Sequence, residues 1–226
     1  LQDLPVRNTF VWSALLTGYT QEGQGHEALI CFDEMQKEGH SPDWVTFTSV
    51  VKACGSIGAV DKGKHIHDEI VRRGLLTKNI VLGNALVDMY AKCGVIAKAQ
   101  QVLEELPIRN VVSWSTLIAG YTQVGQAEKA LDCLDKMQRE DLSPNNVTFI
   151  CLLNACGSIG AIAKGEQIHD QIVSTGLLDK NIMLGNALIN MYAKCGALEK
   201  AEEVLEKLPV RDVVSWNALI AGYVQQ

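Results

Sequence analysis

No stretch of the 226-residue chain approaches the roughly 18 consecutive apolar residues of a membrane-spanning helix, so no membrane partner is expected. Aromatic residues are sparse at 6%, and basic residues do not outnumber acidic ones, leaving a formal net charge of −6. That balance argues against attachment to polyanions through bulk positive charge, because Lys and Arg contacts with counterion release usually drive phosphate binding. The opening residues, LQDLPVRN, form neither a basic amphipathic presequence nor an apolar signal segment, so any targeting peptide is expected outside this sequence.

Catalytic signals are equally thin. His67-Asp68-Glu69 spells the H-x-E half of a zinc deaminase signature, but no P-C-x-x-C follows, and the equivalent later segment reads His169-Asp170-Gln171. His65 and His67 lie two apart, on different faces of a helix, rather than at the i, i+4 spacing of a helical metal site. Cys151 and Cys156 have no consistent His partner at ligand spacing. GSIGA recurs as an inter-helix turn rather than a phosphate loop. No enzyme activity, cofactor or metal is therefore expected.

What the chain does have is repetition. Ser13 to Gln123 and Ser115 to Gln225 align at an offset of about 102 residues with about 60% identity, the mark of a stacked array. The offset also explains the seven cysteines: Cys31 matches Cys133, Cys54 matches Cys156 and Cys93 matches Cys195, leaving Cys151. Without a C-x-x-C pair they read as small buried hydrophobes of a reducing compartment. Each half divides into three related stretches, the size of helical hairpins that pack on their neighbours rather than around one core.

In Val111 to Asn145 the sequence splits at Gly125, a C-cap candidate, into two apolar-periodic segments, and Ser143 and Pro144 are expected to end the second. Leu117, Ile118 and Tyr121 form the inner stripe of the first helix, and Ala130, Leu131, Leu134 and Met137 that of the second. The next stretch uses CGSIGA as its turn, and the third ends ELPIRN in one copy and KLPVRD in the other. The resulting order is a tail of a short module at 1–8, then 9–43, 44–79 and 80–110, then 111–145, 146–181 and 182–212, and a lone first helix at 213–226.

The strings GNALVDMYAKCG, GNALINMYAKCG, VVSWSTLIAGYTQ and VVSWNALIAGYVQ resemble pentatricopeptide repeats of the plant P, L, S subclass, and the resemblance covers essentially the whole chain. It implies an all-α, right-handed superhelical solenoid of helix-turn-helix hairpins that binds single-stranded RNA, one nucleotide per module. The modules are then P, L and S in turn: 9–43, 44–79 and 80–110, repeated at 111–145, 146–181 and 182–212, with a further P-type first helix after them. It also implies a mitochondrial or chloroplast location and a role as the targeting portion of a C-to-U RNA editing factor. Accessory proteins, or a deaminase domain supplied by the rest of the protein or in trans, would be its partners.

The same resemblance assigns base reading to the fifth and last residue of each module. Ser13 with Asp43 is expected to take guanine, Thr48 with Asn79 adenine, Asn84 with Asn110 cytosine over uracil, Ser115 with Asn145 adenine, and Asn186 with Asp212 uracil. Ile150 with Asn181 has no clear preference, because an aliphatic side chain stands where a hydrogen bond is needed. An amide and a hydroxyl offer different donors and acceptors, which is why such exchanges change the base. Second-position residues Phe10, Val45, Val81, Val112, Val147 and Met183 are expected to pack on base faces, although a core role reads equally well from the sequence. Trp12, Trp114 and Trp216 are expected to pack between repeats. The competing reading is a helical scaffold that binds a peptide or partner helix.

Overall fold

The computed structural model describes residues 8–224. The expected tail of a preceding module lies outside them except for Asn8. Among the described residues the chain is all-α, with thirteen α-helices, one 3-10 turn at Leu178–Lys180 and no strand. The helices are α1 (Thr9–Gln21), α2 (Gly25–Lys37), α3 (Trp44–Ile57), α4 (Val60–Arg72), α5 (Ile80–Lys92), α6 (Ile96–Glu105) and α7 (Val111–Gln123). They continue as α8 (Ala127–Arg139), α9 (Asn146–Ile159), α10 (Ile162–Ser174), α11 (Ile182–Lys194), α12 (Leu198–Lys207) and α13 (Val213–Val224).

They form two compact units that divide between Gly120 and Tyr121, inside α7. In the first, α1, α3 and α5 pack side by side, α2 lies against α1 and α3, α4 against α3 and α5, and α6 against α5. The second unit repeats this plan with α9, α11 and α13 side by side and α8, α10 and α12 against them. Within each unit the odd-numbered helices named thus form a contiguous layer, and neighbouring hairpins share one apolar seam. Trp12, Leu16, Phe47, Leu86 and Tyr90 belong to it, with Phe32 and Met35 contributed by α2. Trp12 and Trp114 are buried as packing residues, whereas Trp216 on α13 is half exposed.

The turns differ from the sequence expectation in instructive ways. Gly125 has φ +74°, and Gln126 N–H donates to the Tyr121 carbonyl across it. The CGSI stretch, however, is the last turn of α3 and of α9, so only Gly58-Ala59 and Gly160-Ala161 form the bend. Gly160 takes the left-handed conformation and lets Ala161 N–H reach the Cys156 carbonyl, which closes the helix end. Helix α8 stops at Arg139, before Ser143, because Asp141 adopts φ +57° where the equivalent first-unit residue is Gly39 at φ +81°. Asp is one of the few side chains that tolerate this region. Leu131 is only half-buried, while Cys133 joins Ala130, Leu134 and Met137 in the core.

Cys31, Cys54, Cys133 and Cys156 are buried as expected, but Cys93, Cys151 and Cys195 are partly accessible. All seven are free thiols. Burial raises the Cys54 pKa to about 12 and those of Cys31 and Cys156 to about 11, so these thiols stay protonated and inert.

A second repeated feature is a histidine–tyrosine pair. Nδ1 of His67 on α4 lies 3.0 Å from the Tyr90 hydroxyl on α5, and Nδ1 of His169 on α10 lies 2.9 Å from that of Tyr192 on α11. Burial, reinforced by Lys98 against the opposing pull of Asp68 and Glu105, lowers the pKa of His67. Burial also lowers that of His169, with Lys207 and Lys200 adding to it against Asp170. The neutral rings are therefore part of the fold.

Two stability predictions follow from these contacts. A Cβ on Gly222 would stand 2.6 Å from the Ala193 Cβ, and one on Gly120 2.8 Å from the Ala91 Cβ, whereas none of the described atoms lies within 4 Å at Gly18. Gly222→Ala and Gly120→Ala are expected to lower stability by about 1–3 kcal/mol. Gly18→Ala, at the matching sequence position, is expected to raise it by roughly 0.5–1 kcal/mol. Urea melts of the three variants check the opposite signs. For the histidines, the unfolded chain takes up protons first as pH falls, so their contribution is complete above about pH 6.5 and declines below it. Urea midpoints at pH 7.5 and 5.5 should differ in that direction, and His67→Gln with His169→Gln should flatten the difference.

Candidate nucleic-acid interface

Each first helix begins with a short polar side chain in the N-cap position. Asn8 accepts from Val11 N–H (3.0 Å), Asp43 from Thr46 N–H (2.8 Å) and Asn79 from Val81 and Leu82 N–H (2.9 and 3.3 Å). Asn110 accepts from Ser113 N–H (2.9 Å), Asn145 from Thr148 N–H (3.0 Å), Asn181 from Met183 N–H (3.0 Å) and Asp212 from Ser215 N–H (2.8 Å). Every last-position residue expected to read a base is thus the cap of the following helix, where Asn and Asp are strongly favoured. One oxygen is committed to the backbone, and the other polar atom remains to distinguish Asn from Asp.

The fifth-position residues meet these caps unevenly. In the first unit Asn84 Nδ2 donates to Asn110 Oδ1 at 3.4 Å, and in the second Asn186 Nδ2 donates to Asp212 Oδ1 and Oδ2 at 3.2 and 3.4 Å. Ser13 reaches Asp43 only indirectly: its hydroxyl lies 2.6 Å from that of Thr46, which donates to Asp43 Oδ1 at 2.7 Å. Thr48 instead turns its hydroxyl to the Trp44 carbonyl at 2.7 Å, within its own helix, while Asn79 is occupied with its cap. Ile150 is half-buried and aliphatic, and Asn181 likewise caps its helix. Ser115 donates to the Val111 carbonyl at 2.6 Å and is buried, as is Ser13. Asn145 completes a capping box with Thr148.

The second-position residues are not core. Phe10 is 80% exposed, Val81 49%, Val112 52%, Val147 56% and Met183 62%, with Val45 half-buried. Val214, at the matching place on α13 and absent from the sequence expectation, is 57% exposed. Scattered exposed apolar side chains are ordinary, but the same position exposed in successive hairpins is a repeated surface. Second and fifth positions stand three apart on a helix and share a face, so hairpins whose fifth residue is polar place an apolar side chain beside it, whereas the Ile150 hairpin places two apolar ones.

Charge is segregated between the two helix layers. Asp88 is the one acidic residue within the seven first helices, which also carry Lys52, Lys92 and Lys194. The second helices carry the bulk of the acid, as in Leu198–Lys207 with Glu199, Glu202, Glu203 and Glu206. Some is paired between neighbouring second helices, Lys62 with Asp33 at 2.6 Å and Lys164 with Asp135 at 3.1 Å. The Asp212 carboxyl lies below the usual range, held there first by the Ser215 N–H, with the Asn186 amide adding to it, so it is ionised at neutral pH.

Family models described as PPR repeat family match residues 7–56 and 109–158, and models described as PPR repeat match 45–75, 84–111 and 186–213. The chain is 41% identical over 223 residues to the pentatricopeptide repeat-containing protein CRR2, chloroplastic, of Arabidopsis thaliana, covering 96% of this chain and 34% of that protein. A putative mitochondrial pentatricopeptide repeat-containing protein of the same plant is 38% identical, with 99% and 35% covered. The chain therefore spans about a third of the length of these relatives. Among solved structures, maize PPR10 matches with TM-score 0.69 at 26% identity, covering 96% of this chain and 32% of that one. PPR10 in complex with an 18-nt psaJ RNA element matches in fold with TM-score 0.80 at 20% identity, covering 96% and 33%.

Because the caps are structural whatever they bind, Asn79→Ala and Asn181→Ala should each cost about 1 kcal/mol of stability in urea denaturation without RNA.

Proposed function

As the chain belongs to the pentatricopeptide repeat family, we propose that it binds single-stranded RNA, one base per hairpin, through the first-helix face. The observation that carries this reading is the exposure of an apolar second-position residue in successive hairpins, joined at Asn84–Asn110 and Asn186–Asp212 by a bonded polar pair. Extended single strands are read by stacking or packing on base faces together with hydrogen bonds to base edges, and the Asn84 and Asn186 hairpins offer both elements. A fold relative solved in complex with an 18-nt RNA element supports RNA as the ligand.

The base preferences follow from the polar atoms each pair leaves open. Asn186 offers an amide N–H and Asp212 a carboxylate acceptor, which fit a uracil edge with its carbonyl oxygens and N3–H. Asn84 with Asn110 offers amide donors, which fit the N3 and O2 acceptors of cytosine. Ser13 with Asp43 is assigned guanine and Ser115 with Asn145 adenine, while Thr48 with Asn79 and Ile150 with Asn181 are weak readers. The proposed site is 5′-G-A-C/U-A-N-U-3′, with the second base loosely specified. In this reading the array is the P, L, S-type targeting portion of an organellar C-to-U editing factor, in a mitochondrion or chloroplast. The chemistry comes from a deaminase elsewhere in the protein or in trans, and accessory proteins assist.

The net charge of −6 sits mainly on second helices, so it weakens long-range attraction more than it blocks the reading face. Binding is expected to be modest and strongest at low salt. Fluorescent RNA carrying GACANU should bind more tightly than the same RNA with its first G and fourth A exchanged, and raising salt should weaken both. Equal weak binding would mean a wrong register, and no binding to either would return the array to a protein-binding scaffold.

A further inference from the structure

The fifth and last residues do not meet alone. At three junctions among the described residues a hydroxyl from the third residue of the next first helix sits between them: Thr46, Ser113 and Ser215; Thr148 holds the same place on the Asn145 cap, donating to its Oδ1 at 2.9 Å. Ser113 Oγ donates to Asn84 Oδ1 at 2.6 Å and accepts from Asn110 N–H at 3.1 Å. Ser215 Oγ donates to Asn186 Oδ1 at 2.5 Å and accepts from Asp212 N–H at 3.2 Å. Both serines are fully buried.

The direction of these bonds is forced by proton count. Asp212 is ionised and can only accept, so Asn186 must turn Nδ2 towards it, and Asn186 Oδ1 then faces Ser215. Ser215 Oγ also lies 3.0 Å from Asp212 Oδ1, but two bare acceptors would repel at 2.5 Å, so its single proton goes to Asn186 Oδ1, the shorter contact. With Oδ1 turned to Ser215 and one N–H given to Asp212, the amide keeps its second N–H to donate to an incoming base. Asn84 repeats the arrangement, with Nδ2 towards Asn110 Oδ1, an oxygen already held by the Ser113 N–H. At the first junction the direction reverses. Thr46 gives its proton to Asp43 Oδ1 at 2.7 Å and so must accept the proton of Ser13, 2.6 Å away. Ser13 then shows a lone pair, and both bonds to the Asp43 side chain land on Oδ1, which leaves Oδ2 as an acceptor. Two acceptors suit the N1–H and N2–H donors of guanine.

We propose that Thr46, Ser113 and Ser215 are positioning residues for specificity: each fixes which way the fifth-position group points its proton, and so which base edge the pair accepts. This deepens the RNA-binding reading and rests on it. The residues after the Thr48 and Ile150 hairpins are Leu82 and Leu184, which have no hydroxyl to offer. Thr48 accordingly bonds within its own helix. Loose base choice at the second and fifth bases is the consequence.

The test uses the full chain with GACAAU and GACAAC RNAs. The unsubstituted protein should prefer U at the sixth base. Ser215→Ala should reduce that preference by about tenfold, the worth of one hydrogen bond, while the G-over-A preference at the first base stays intact. Ser215→Thr, which keeps the hydroxyl, should retain the preference. Ser113→Ala should lose discrimination at the third base only, and it carries the test in the first unit should Ser215→Ala fail to fold. Unchanged base ratios in a folded Ser→Ala variant would overturn the proposal and leave these serines as helix caps. Absence of any base preference in the unsubstituted chain would instead overturn the RNA-reading assignment, and the proposal with it.

Discussion

The junction between hairpins is the constraint on which the rest of this protein depends: the last residue of one hairpin is the N-cap of the next. Helix N-termini leave amide donors without intrahelical partners, and a short polar side chain with an oxygen acceptor supplies one. Asn8, Asp43, Asn79, Asn110, Asn145, Asn181 and Asp212 all do so. Asn and Asp are nearly equivalent caps, yet their second polar atom is a donor in one and an acceptor in the other. Exchange between them alters what a ligand meets while leaving the helix start intact. A repeat built on this junction varies its recognition without disturbing its fold.

Stability and spacing come from the layer beneath. First helices pack directly on one another within each unit, and glycines such as Gly120 and Gly222 allow the approach. Since each seam is shared between neighbours, the array needs no central core, and its caps recur at an interval set by hairpin length. The buried His67–Tyr90 and His169–Tyr192 pairs recur at matching seams, holding second helices to the following first helix.

Electrostatics is partitioned by the same layering. A second helix has one face in the seam and the other in water, where Glu and Asp are well solvated and pair with Lys on neighbouring second helices. A first helix has packing on most sides, which leaves little room for charge away from its amino-terminal end. The first helices are therefore nearly uncharged apart from Lys52, Lys92 and Lys194 with Asp88, and charge enters at their starts through the caps Asp43 and Asp212. Hydrogen bonding, rather than net charge, is left to discriminate there.

Helix type, hairpin order and repetition were legible in the sequence because they rest on local signals: apolar periodicity, glycine stops and recurring strings such as MYAKCG. Local signals misled where two conformations compete for the same residues, as in CGSI, which reads as a turn but completes α3 and α9, and at Asp141, which ends α8 early. The candidate residues could be named from the sequence, but their roles could not. Phe10, Val81 and Met183 read equally as core until the fold left them exposed. An Asn or Asp followed three residues later by Ser or Thr signals a capping box, and that signal alone would have placed Thr46, Ser113 and Ser215 at helix starts. That their hydroxyls also reach Ser13, Asn84 and Asn186, some thirty residues earlier, is decided only by the packing of one first helix on the next, which no local sequence pattern encodes.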